Sequence, residues 1–179
     1  LKEDGYLTAG ERDGKKVDGF DLGNSPFEYM DASLKGKKIA FTTTNGTRAI
    51  AKAIEARDII IGSFLNLSAV AGYLQTNSHD VLIVCSGWKG KVNLEDTVFA
   101  GALIEKLNGA FEHACDAPII AQRLYRQAQN DLKGFLKDSS HIKRLHRLNI
   151  RNDIDFCLTE DQYDVVPVIR DNRITVIKP

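Results

Sequence analysis

Between Gly36 and about Gly109 the chain repeats one pattern three times: a short apolar, β-branched run, a polar turn, and a stretch with apolar residues at helical spacing. Ile39 to Thr43 leads into a helix pattern carrying Ala49, Ile50, Ala53 and Ile54. Asp58 to Gly62 passes through Ser63-Phe64-Leu65-Asn66 into a stripe of Leu67, Val70, Ala71 and Leu74. Val81 to Cys85 is followed by Ser86-Gly87-Trp88-Lys89-Gly90 and a helix pattern presenting Phe99, Ala102, Leu103 and Leu107. Near-continuous apolar strands alternating with helices predict a three-layer α/β/α fold with a mainly parallel sheet. The three turns then share the carboxyl edge of the strands, where ligands bind in such sheets.

The flanking regions differ. After Asp116 the spacing of Ile120, Leu124, Ala128, Leu132, Phe135 and Leu136, with Pro118 in the first turn, predicts one long helix; a shorter one runs from Ser139 to about Leu148. Val165 to Ile169 and Arg173 to Ile177 flank Arg170-Asp171-Asn172 and predict an antiparallel C-terminal hairpin. Residues 1–35 are glycine-punctuated and lack strand or helix periodicity, so they read as a polar loop covering an active site. A single domain spans 1–179, with this covering segment, the strand-loop-helix units of 36–110, and the helices and hairpin of 111–179.

Composition narrows the setting. The 43% hydrophobic content suffices for one core, no run reaches the ~18 apolar residues of a membrane span, and 24 basic residues balance 24 acidic ones. No global field recruits nucleic acid or an anionic membrane, so any anion site is local. Cys85, Cys115 and Cys157 have no metal-ligand spacing; Cys85 and Cys157 sit in apolar runs and read as small core residues, and reduced thiols point to the cytoplasm. The chain opens on Leu-Lys-Glu-Asp without an apolar signal core.

The sharpest local feature is Thr42-Thr43-Thr44-Asn45-Gly46-Thr47-Arg48, between a strand-like run and a helix pattern. Free N–H groups and the dipole at a helix start favour an anion, and Gly46 permits close approach, so phosphate or a similar oxyanion is the expected ligand.

Together with Gly10-Glu11-Arg12, Gly19-Phe20-Asp21-Leu22-Gly23-Asn24-Ser25-Pro26, Gly62-Ser63-Phe64-Leu65-Asn66 and Leu94-Glu95-Asp96, this block makes the chain resemble the 2-phosphosulfolactate phosphatase family over essentially its whole length. Ser139-Ser140-His141 and Val166-Pro167 belong to the same resemblance. It implies Mg²⁺-dependent hydrolysis of 2-phospho-3-sulfolactate to 3-sulfolactate and phosphate, as in coenzyme M biosynthesis. It also implies a further N-terminal segment, with a strand and a threonine-rich turn of its own, that this chain lacks.

A substrate bearing phosphate, carboxylate and sulfonate needs several anion holders. Arg12, Asn24, Thr44, Asn45, Gly46, Thr47 and Arg48 are the substrate-binding candidates, with Ser63 and Asn66, although Asn45 and Asn66 would equally cap helices. Glu95 and Asp96 are candidate Mg²⁺ ligands or general acid/base groups, yet they also suit a first helical turn after Asn93. Glu11, Asp21 and Asn24 bring oxygen ligands from the covering segment. The resulting assignment is catalytic Glu95, Asp96 and Asp21, with metal at Glu11, Asp21 and Glu95.

The remaining candidates read more plainly. Asp153 and Asp155 at period two fit an exposed strand face. His141 after two serines is a weak nucleophile-and-base signal, and Cys85 lacks the Cys-x5-Arg loop because position 91 is lysine. Trp88 suits a pocket wall or a homodimer contact. Two rival readings stay open: hydrolysis of another small phosphorylated acid, and a non-catalytic anion-binding module.

Overall fold

The computed structural model describes residues 5–77, 79–148 and 150–177. Among the described residues six strands form two three-stranded sheets rather than one mainly parallel sheet. In the first, β1 (Tyr6–Arg12) lies between β2 (Lys15–Lys16) and β3 (Lys38–Thr42); in the second, β5 (Val166–Arg170) lies between β4 (Ile59–Ile60) and β6 (Arg173–Ile177). Of these strands, β1 and β3 pair in parallel, from Tyr6 opposite Lys38 to Gly10 opposite Thr42. The other ladders are antiparallel.

Three of the predicted strands fare differently. Ile39 to Thr43 forms β3 nearly as expected. Asp58 to Gly62 shrinks to the two residues of β4, because β4 pairs with the C-terminal hairpin, Ile59 opposite Ile169. Val81 to Cys85 forms no strand: its backbone makes no ladder bond among the described residues, and Leu82 and Val84 are 86% and 50% exposed. The hairpin itself forms as predicted. Asp171 and Asn172 take positive φ (51° and 57°), the conformation that a tight two-residue turn needs for its twist to match the strands.

The covering segment is the largest correction, since Tyr6-Leu7-Thr8-Ala9 is a strand with Thr8 and Ala9 buried. Glycines at 5, 10 and 14 obscure its periodicity. Gly10 is required there, because a Cβ would stand 2.4 Å from the Thr42 carbonyl oxygen on the neighbouring strand.

Among the described residues the α-helices are α1 (Gly46–Lys52), α2 (Leu67–Thr76), α3 (Leu94–Leu107), α4 (Asp116–Ala128), α5 (Leu132–Leu136), α6 (Ser140–Arg147) and α7 (Asn152–Cys157). The expected long helix breaks between α4 and α5, where Asp131 turns its carboxylate back onto the Gly134 amide at 2.8 Å and starts a new helix. Ser139 caps α6 in the same way, accepting from the Ile142 amide at 3.1 Å. Asp153 and Asp155 lie in the first turn of α7, not on a strand, where acids complement the helix dipole.

The core gathers the apolar faces of α2 and α3, Leu67, Val70, Ala71 and Leu74 against Val98, Ala102, Leu103 and Leu107, and extends to Ala128, Leu136, Ile142 and Ile154. At the α3–α4 crossing Gly101 has no room for a side chain: its Cβ would stand 2.0 Å from the Ala121 carbonyl oxygen. Cys85 and Cys157, expected inside, are exposed, as is Cys115, and all three thiols are free. Cys85 ends the unpaired run, and Cys157 sits in the last turn of α7. Among the described residues no helix is long and apolar enough to cross a membrane.

Candidate active site

The three polar turns of the sequence pattern do converge. Thr43 to Thr47, Ile59 to Phe64 and Val81 to Trp88 line one cleft of about 1380 Å³, together with the first turns of α3 and α6 and part of the N-terminal segment, including Glu11, Gly23 and Asn24. The N-terminal segment thus contributes a wall to the cleft, as a strand and its loops.

At the threonine turn the anion seat is already served by the protein. The Glu11 carboxylate accepts the Thr44 amide at 2.7 Å and the Gly14 amide at 2.8 Å. Burial pushes the Glu11 pKa up, but those amides and the Arg12 charge outweigh it and hold it below the usual range. Thr43 and Thr47 close the turn on themselves: Thr43 Oγ1 accepts the Thr47 amide, and Thr47 Oγ1 donates to the Thr43 carbonyl. Thr44 Oγ1 is buried near the Glu11 carboxylate, whose pKa it helps to lower. Asn45 reaches sideways, its Oδ1 at 3.5 Å from the Lys89 amide. Gly46 and Thr47 line the cleft, whereas Arg48 and Arg12 are exposed and do not.

Asp21 and Asn66 serve the scaffold. Asp21 Oδ2 accepts both the Thr8 amide and the Thr8 hydroxyl at 2.8 Å, binding its loop to β1. Asn66 is 4% exposed and its amide is fully engaged, accepting from the Ser63 amide and donating to the carbonyls of Ile61 and Val165. Ser63 lines the cleft and Asn66 does not.

Glu95 and Asp96 open α3, one residue beyond its start, and both face the cleft. Asp96 Oδ2 accepts the Gly87 amide at 2.7 Å; burial raises its pKa, and the Gly87 bond restrains the rise. Glu95 is the anomaly, because both its carboxylate oxygens are buried without a hydrogen-bond partner among the described residues. Burial, with the Asp96 charge beside it, raises the Glu95 pKa against the opposing pull of its own main-chain amide and Arg144. A carboxylate in that condition calls for a proton or a cation.

The neighbours of Glu95 come from α6. His141 Nδ1 lies 3.4 Å from Glu95 Oε1 and accepts a hydrogen bond from Arg144 Nη2 at 2.5 Å. Burial and the Arg144 charge push the His141 pKa down to about 4, despite Glu11, so the ring is neutral at pH 7 and its contact with Glu95 is no ion pair. Since Nδ1 accepts, the proton sits on Nε2. The Arg144 guanidinium in turn lies 4.5 Å from the centre of the Trp88 ring, with Lys89 Nζ at 4.6 Å from the same centre.

Sequence reasoning gave His141 little weight and passed over Arg144. The available signal was their three-residue spacing within a capped helix, which puts both on one face.

Fold and cleft together describe a mixed α/β protein in which carboxylates, a neutral imidazole and a guanidinium meet at loop ends. Its sequence places it more closely. The family model for 2-phosphosulpholactate phosphatase matches residues 1–172. A protein of Caldanaerobacter subterraneus subsp. tengcongensis named probable 2-phosphosulfolactate phosphatase is 44% identical over 172 residues, covering 96% of this chain and 71% of its own length. A protein of the same name from Thermotoga maritima is 45% identical over 177 residues, covering 99% and 76%. One from Microcystis aeruginosa is 41% identical over 174 residues, covering 95% and 72%. The chain belongs to the 2-phosphosulpholactate phosphatase family.

Proposed function

We propose that this protein is a phosphoric monoester hydrolase that cleaves 2-phospho-3-sulfolactate to 3-sulfolactate and phosphate, with Mg²⁺ as its cofactor, in the cytoplasm. The observation that carries the reading is Glu95: a buried carboxylate with two unpartnered oxygens, in the cleft of a chain from this family. Mg²⁺ is bound through one or two carboxylates and completes its shell with water and substrate phosphate. Glu95 fits as that anchor. Among the described residues no three His, Cys, Asp or Glu side chains form a ready-made cage. Glu11 and Asp21, the other metal candidates, spend their carboxylates on main-chain amides. When bound, the metal supplies charge neutralisation at the phosphoryl oxygens.

The chain's own groups do the rest. Asp96, fixed through Oδ2 by Gly87, keeps Oδ1 uncommitted among the described residues and takes a proton from water there. Its raised pKa suits that role. As the water oxygen bonds to phosphorus, the ester P–O bond breaks and the sulfolactate oxygen leaves with the proton that Asp96 received. His141 presents Nε2–H as a neutral donor to the transferring group.

The test is phosphate release from 2-phospho-3-sulfolactate with and without Mg²⁺, beside a Glu95→Gln variant. We expect release to stop on chelation and to fall by roughly a hundredfold or more in the variant, the scale of a lost electrostatic group. Turnover indifferent to both changes would sink the reading. Tight binding of the substrate without turnover would instead favour an anion-binding module.

A further inference from the structure

The geometry points to Arg144, laid over Trp88, as the residue that holds the sulfonate and sets the preference for phosphoesters carrying a second strong acid; this rests on the phosphatase reading above. The cleft is lined by two guanidinium groups. Arg57 is committed, pairing with Asp58 at 3.6 Å and contacting His79. Arg144 has no carboxylate within ion-pair distance among the described residues. Among the described residues its Nε is buried without a hydrogen-bond partner, and its side-chain hydrogen bond is to a neutral imidazole. A half-buried cation that feels the Glu95 charge but forms no ion pair with it is complementary to an anion from outside.

Two features favour sulfonate over phosphate. The phosphoryl group belongs where its charge is met by a metal anchor and an acid/base group, at Glu95 and Asp96. A sulfonate is a weakly basic monoanion with delocalised charge, a poor ligand for a hard divalent ion but well matched to a planar, weakly hydrated guanidinium. The Trp88 ring holds the guanidinium by a cation–π contact, 4.5 Å from its centre, so the group is placed before the substrate arrives.

The experiment compares kcat/KM for 2-phospho-3-sulfolactate and 2-phospholactate, which lacks the sulfonate, in the wild type, Arg144→Met, Arg144→Lys and Trp88→Ala. The wild type is expected to favour the sulfonated ester. Arg144→Met should lower that preference at least tenfold, mainly through KM. Arg144→Lys should fall between, keeping charge but not the fork, and Trp88→Ala should move in the same direction as Arg144→Met. Equal losses on both esters, or an unchanged ratio, overturn the assignment. Far-UV circular dichroism checks folding, and Arg144→Lys carries the comparison should Arg144→Met misfold. Calorimetric binding of 3-sulfolactate against lactate separates the two readings. If the wild type hydrolyses neither ester, the phosphatase reading falls, while binding of 3-sulfolactate weakened tenfold or more by Arg144→Met still supports the seat. No difference between wild type and variant overturns it.

Discussion

His141 and Glu95 have pKa values shifted from those that water gives them, and each shift leaves a signature in the pH dependence of stability. His141 titrates near 4 in the fold and near 6.5 when unfolded, so its neutral form is the one the fold favours. Its contribution is fully present above pH 6.5 and is lost as the pH falls from there toward 4. Unfolding midpoints measured across that window should fall for the wild type, and the slope should flatten in His141→Gln. Glu95 works the other way. Its carboxyl titrates above the ordinary 4.5 because it is buried, so the fold is favoured while it is protonated and loses that contribution as the pH rises through the raised value. Glu95→Gln should therefore unfold later than the wild type at pH 7 in metal-free buffer, by about 1 kcal/mol or roughly 2–4 °C, while its phosphatase activity is lost. Such an exchange of stability for function marks a site group. A residue with only a scaffold role, such as Asn66, gives the opposite result on substitution. At this scale the sequence makes acids at the start of α3 visible, but their difference is not. Asp96 meets the Gly87 amide and Glu95 does not, and that depends on where Ser86-Gly87 runs. Arg144 is harder still, because its meaning lies in Trp88, a side chain of a distant loop.

Elements were legible where a local device marks them. Ser139 caps α6, Asp171-Asn172 turns the hairpin, and the apolar stripes of α2 and α3 form the core. They were illegible where the deciding partner is remote. Tyr6 to Arg12 is a strand because β3 lies alongside it, and no periodicity in a glycine-rich segment announces that. Val81 to Cys85 has strong strand chemistry, yet a strand needs a neighbour for its amides. The break between α4 and α5 came from Asp131, whose capping competes with continuing a helix that the apolar spacing alone would extend. The α3–α4 crossing gives the element-scale test. Gly101→Ala places a methyl against the Ala121 carbonyl, so the two helices must separate; a loss of about 2–4 kcal/mol is expected, in the range of overpacked cores. Thermal unfolding measures it, and a midpoint within a degree of the wild type would mean that the crossing is looser than described.

Across the whole molecule, the loop ends of the sequence pattern meet at one cleft although the single parallel sheet that motivated the expectation is absent. The convergence survives because turns at the ends of apolar runs still gather around the helices that the runs feed. The run from Val81 to Cys85 borders this cleft with exposed apolar side chains and amides unpaired among the described residues, the combination that invites strand addition. Leu82→Lys should slow concentration-dependent aggregation, read by light scattering, with the unfolding midpoint little changed. Faster aggregation in the variant would count against this edge as its source. The second sheet has a different consequence, in time. Ile59 pairs with Ile169, and Asn66 holds the carbonyl of Val165, so early and late parts of the chain close on each other. On the ribosome, β4 and the loop that carries Ser63 must wait for the hairpin to emerge before they have partners. The cleft therefore takes its final shape only once the hairpin has emerged, and the helices between β4 and β5 have to stay soluble until then.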